Sequence, residues 1–114
     1  SIERMIEIEE IKAEPVDEAL SVSIAVVIEQ PDAAFAVLFR AHIDELIHST
    51  KPYPQGKAGR NQGKFMLSML ELAKANHCPP TLREASEYCG IPYESAKAYR
   101  QRTMTYLRAH GVKA

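Results

Sequence analysis

The stretch TLREASEYCGIPYESAKAYRQR, residues 81–102, constrains the fold more than any other part of the chain. Thr81 stands three residues ahead of Glu84, the spacing at which each side chain caps the other's backbone N–H, so a helix should start at Leu82. Leu82, Ala85, Ser86 and Cys89 then fall on one face, mostly small enough for close packing. Gly90 can take the left-handed conformation that ends a helix, Ile91 supplies an apolar plug for the turn, and Pro92 opens a second helix. On that second helix Ala96, Tyr99, Thr103 and Leu107 point inward, while Tyr93, Glu94, Lys97, Arg100 and Gln101 point outward. Such a pattern sets one helix across another at a fixed turn.

A third helix precedes this pair, with Phe65, Met66, Met69, Leu70 and Ala73 on one face and Cys78-Pro79-Pro80 at its end. Ahead of it, KPYPQGKAGRNQGK (51–64) holds three Gly, two Pro, four bases and no acid. That composition reads as a basic linker over 51–61, with Asn61 capping the helix that follows. A sharper version is a basic arm lying along a nucleic-acid backbone.

The first half of the chain is apolar and acidic. In PDAAFAVLFRAHIDELIHST, Phe35, Leu38, Phe39, Ile43 and Leu46 recur at helical steps, beside Ala34, Val37 and Ala41. That face is wider than one neighbouring helix covers, which points to a core helix or a two-fold dimer interface lined by those five large residues. VDEALSVSIAVVIEQ reads both ways. Leu20, Val22, Ile24, Val26 and Ile28 alternate as a strand would over 20–28, and β-branched residues are dense. Val16, Leu20, Ile24 and Val27 also share a helical face behind Pro15, which favours helix. A lone strand would need a partner, such as its copy in a second subunit. The opening IERMIEIEEIKAE leans to helix on its Glu and Met content.

Net charge is −1, but residues 1–50 carry eleven acids against three bases and residues 51–114 carry four acids against eleven bases. The split of −8 and +7 suggests two tasks, the basic half being a candidate for a polyanion. With no Trp and only three Phe, the core must be mainly aliphatic. No apolar run reaches the length of a membrane span, and the acidic N-terminus does not look like a signal peptide. Two cysteines fit a reducing compartment, so a cytoplasmic location is expected. His77, Cys78 and Cys89 lack the spacing of a metal site. His42, Asp44, Glu45 and His48 come with neither a nucleophile nor a phosphate loop. Neither catalysis nor a cofactor or metal is expected.

At Leu82 to Gln101 the chain resembles the helix-turn-helix family of DNA-binding domains, which share a helix, a short turn beginning with Gly, an apolar residue and a second helix. The likeness extends over residues 62–111, with Phe65 to Ala75 as the helix completing a trihelical core. It implies that the second helix enters the major groove of double-stranded DNA, with Tyr93, Glu94, Lys97 and Gln101 nearest the bases. Lys64, Thr81, Arg83, Arg100 and Arg102 would meet phosphates. The expected protein is therefore mainly α. An acidic oligomerisation region (1–50), a basic linker (51–61) and a helix-turn-helix module (62–114) follow one another. A homodimer regulating transcription in a prokaryote, phage or plasmid is the function this implies. The alternatives are a DNA-binding recruiting protein for replication, partition or packaging, and an adaptor whose basic face meets an acidic protein.

Overall fold

The structure is a computed structural model and describes residues 18–110; the helix expected near the N-terminus lies outside those residues. The chain is mainly helical, with α1 at Glu18–Glu29, α2 at Ala34–Ile47, α3 at Gln55–Asn76, α4 at Leu82–Cys89 and α5 at Tyr93–Ala109. No strand occurs among the described residues, and no single helix among them is long and apolar enough to cross a membrane.

Burial decides the ambiguous α1. Leu20, Ser23, Ile24 and Val27 are buried, at steps of three and four, whereas Val22 is 58% exposed. A strand would have placed Val22 on the same face as Leu20 and Ile24. Packing, not β-propensity, sets the outcome. The chain then bends by 104° into α2. Arg40 secures this corner from α2, donating to the Val27 carbonyl at 3.0 Å and the Pro31 carbonyl at 3.2 Å. Its cation meets the Val27 carbonyl in the last turn of α1, which has no partner within the helix, and the Pro31 carbonyl of the turn that follows.

Phe39 and Ile43, expected at a two-fold interface, are 0% and 4% exposed and belong to the chain's own core. Phe35 and Leu46 pack against that core and are half-buried. Of the five residues expected there, Leu38 alone remains outward, 52% exposed beside Val37 at 55%. The apolar width of α2 is explained by neighbours on two sides, α1 and α3.

Most of the segment expected as a linker, residues 55–61, is instead helix. α3 begins at Gln55 and runs for 22 residues, so Asn61 lies inside it and Pro54 occupies the N-cap. Its glycines serve close packing rather than flexibility. A Cβ on Gly63 would sit 2.7 Å from Ile47 Cγ1 and 3.0 Å from the Ile47 nitrogen, and one on Gly56 would collide with the Lys51 carbonyl oxygen. Composition alone cannot separate a flexible Gly from one that admits a neighbouring backbone. Arg60, on the same stretch, donates to the Ser49 carbonyl at 3.0 Å just beyond α2. The C-terminal half of α3 buries Phe65, Met66, Met69 and Ala73. One core cluster draws residues from all five helices, so the boundary expected at 51–61 does not separate two cores.

A ring stack joins α2 to the end of α5. His42 lies parallel to Tyr106, with centroids 3.9 Å apart, and His110 meets the same ring at 4.1 Å. The Tyr106 hydroxyl donates to the Leu38 carbonyl at 3.4 Å.

Two stability predictions arise from this packing. Gly56→Ala should lower the melting temperature, since overpacking costs about 1–3 kcal/mol and outweighs a helix-propensity gain of about 0.5–1 kcal/mol. Gly59→Ala should raise it, because the nearest atom to its Cβ is Leu46 Cδ2 at 3.8 Å, an ordinary contact. Equal shifts in the two thermal melts would refute the close approach. His42 is held below its ordinary value of 6.5, mainly by burial, with Glu45 opposing and His110 reinforcing. A depressed histidine resists protonation in the folded state. Its contribution is therefore complete above pH 6.5 and falls away as the pH drops toward the lower folded value. Urea unfolding from pH 7.5 to 5 should accordingly show less acid sensitivity in His42→Gln than in wild type.

Candidate functional site

α4 and α5 pack against one another and both pack against α3. The start of α4 is fixed by a complete capping box. The Glu84 N–H donates to Thr81 Oγ1 at 3.1 Å, and the Thr81 N–H donates to Glu84 Oε1 at 3.0 Å. Its end is a Schellman arrangement. Gly90 has φ 75° and ψ 28°, its N–H donates to the Glu87 carbonyl at 3.2 Å, and the Ile91 N–H donates to the Ser86 carbonyl at 3.0 Å. Leu82, Ala85 and Ser86 are buried, and Ile91 packs against the core as the plug the sequence suggested. The Tyr88 hydroxyl ties α4 to α3 by donating to Glu71 Oε2 at 2.7 Å, and this bond raises the tyrosine pKa.

Pro92 at the N-cap, in extended conformation, starts α5. Ala96, Tyr99, Thr103, Met104 and Leu107 are its buried residues, and the Phe65 and Tyr99 rings lie 6.3 Å apart where it crosses α3. The inward face expected from spacing is therefore present, with Met104 added. Thr103 is fully buried and satisfies its hydroxyl by donating to the Tyr99 carbonyl at 2.8 Å.

The outward side is more structured than spacing implied. Glu94 and Gln101 are exposed, and Lys97 sits 3.5 Å from Glu94 in a solvent-facing pair. An exposed pair of this kind adds little stability. Tyr93 is half-buried, with the Arg83 guanidinium carbon 4.3 Å and the Lys97 Nζ 4.9 Å from its ring centre. Arg100 is half-buried on the same stripe as Tyr93 and Lys97, which continues to the buried Met104, so these three flank the core instead of facing outward as spacing suggested. Arg102 is set apart from that stripe, 5.8 Å from the Tyr99 ring. Lys64 is exposed on α3, one position before Phe65. Thr81 is accounted for by its cap. The structure thus gathers Arg83, Tyr93, Glu94 and Lys97, and leaves Arg102 on another flank. No local spacing rule pairs Arg83 with Tyr93 across a turn, so that contact was not readable from the sequence.

Over Leu82–Ala109 five bases face three acids, a modest excess. The remaining cations of the basic half lie mostly on α3, at Lys57, Arg60, Lys64 and Lys74. His77 ends α3 with φ 57°, Cys78 is exposed and Cys89 half-buried. Among the described residues no group of three His, Cys, Asp or Glu is placed to hold a metal ion. Comparison with known proteins adds nothing further: no family model, curated protein or solved structure matches this chain.

Gly90 offers a clean test of the turn. Apart from its two chain neighbours, nothing lies within 4 Å of a Cβ built there, so a substitution meets backbone strain rather than a clash across the fold. Gly90→Val should cost about 1–3 kcal/mol, and Gly90→Asn less, because Asn visits the left-handed region more readily. Chemical denaturation of the two variants should rank them in that order; equal stability would contradict the left-handed turn.

Proposed function

We propose that this protein binds double-stranded DNA as a homodimer, with α5 entering the major groove, and that it regulates transcription. The observation that carries the proposal is the capped α4, the glycine turn and α5 packed on α3, with Gln101 exposed on α5 and Lys97 and Arg100 half-buried along its flank. A helix leaving a fixed turn can present its first turns to a groove. Gln101 suits adenine, while Arg83 and Arg100 would meet phosphates. One such helix covers a half-site only, which makes a paired arrangement the natural reading. With Phe39 and Ile43 in the core, the contact between copies falls to the exposed Leu38 and Val37 of α2.

Fluorescence anisotropy against duplexes selected from a random pool tests this reading. Affinity should fall steeply with salt, and Arg100→Ala should weaken all duplexes alike and reduce the salt slope by about one. Wild type should sediment as a dimer at tens of micromolar, and Leu38→Glu as a folded monomer that keeps only weak, non-specific binding. Absence of salt-dependent binding to any duplex would defeat the proposal, and a monomeric wild type would defeat its dimeric part.

A further inference from the structure

We propose that Tyr93 is a positioning residue that holds Arg83 and Lys97 as a preformed pair of cations for DNA phosphates, and is not itself a base contact. This rests on the DNA-binding reading above and assigns a task within it. Three observations carry it. Both cations lie within the roughly 6 Å over which an aromatic ring attracts a positive charge, at 4.3 Å for Arg83 and 4.9 Å for Lys97. They come from different helices, Arg83 from the first turn of α4 and Lys97 from α5, so one ring at the start of α5 gathers charge across the turn. Tyr93 is itself half-buried, which suits a platform better than a side chain reaching into a groove.

Two like charges drawn to one ring repel each other unless something offsets them. The negative face of the ring does so for both, and Glu94 does so for Lys97 at 3.5 Å. Arg83 takes part in neither of the two ion pairs found among the described residues, and it is exposed. A guanidinium held against a ring still presents N–H donors at its rim, in the fork that matches phosphate oxygens. Holding it there in the free protein removes part of the side-chain entropy that binding would otherwise cost.

The test is a double-mutant cycle on a duplex selected from a random pool and on its scrambled counterpart. Tyr93→Phe keeps the ring and should bind both within two-fold of wild type. Tyr93→Leu should weaken both equally, by about two- to five-fold, the range expected of an exposed cation–π contact. Arg83→Ala should lower the salt slope by about one, and combining it with Tyr93→Leu should cost less than the two losses multiplied. A changed preference between the duplexes in Tyr93→Leu would make Tyr93 a base contact and overturn the proposal. Fully multiplicative losses, or a Tyr93→Phe as weak as Tyr93→Leu, would overturn it as well. Ring-current shifts of the Arg83 side-chain protons, present in the free wild type and absent in Tyr93→Leu, test the platform without DNA. If those shifts are present but no duplex binds, the DNA reading has failed and the phosphate role with it. If duplexes bind but the shifts are absent, the platform alone has failed.

Discussion

The close approach of α3 to the end of α2 is the constraint on which the rest of the fold depends. It exists because Gly56 and Gly63 present no Cβ where Lys51, Leu46 and Ile47 pass. Glycine inside a helix is unfavourable by about 0.5–1 kcal/mol relative to Ala, so the first half of α3 is not held by its own propensity. It is held by what it touches. Arg60 reaches from it to the Ser49 carbonyl, and Arg40 plays the matching part at the end of α1. Each of the first two helices is thus fastened at its C-terminal end by an arginine from the helix that follows.

The C-terminal unit was legible in detail because its signals are local. Thr81 and Glu84 cap one another over three residues, Gly90 needs only its own φ, and the buried set on α5 follows from a single helical period. The first half was harder. Periodicity located α2 but could not say whether Phe39 and Ile43 faced a second copy or the chain's own α1 and α3, since both surroundings demand the same apolar stripe. The reading of 51–61 as a linker failed because Gly, Pro and Lys describe flexibility and close helix contact equally well. Deciding between them requires knowing that Ile47 lies alongside Gly63. The contacts around Tyr93 and Tyr106 escaped for a related reason: both join residues of different helices whose meeting depends on the completed fold.

On the candidate surface, charge and structure are divided between two helices. α4 contributes Arg83 and the capped start that fixes its direction, while α5 contributes the half-buried stripe of Tyr93, Lys97 and Arg100. The basic excess of the second half of the sequence is not concentrated there, because several of its cations lie along α3. Any long-range attraction for a polyanion would therefore be spread over much of this half of the molecule, with α4 and α5 supplying orientation.

Continuity of α3 also bears on geometry between molecules. A true linker over 51–61 would have let the two ends of the protein swing independently, and a pair of copies could then have matched many separations on a partner. The unbroken 22-residue helix removes that freedom. In two copies joined through α2, the distance between their α5 helices would be a fixed length written into the fold. Such an assembly would act as a ruler, selecting partners by the spacing of repeated features as much as by their chemistry.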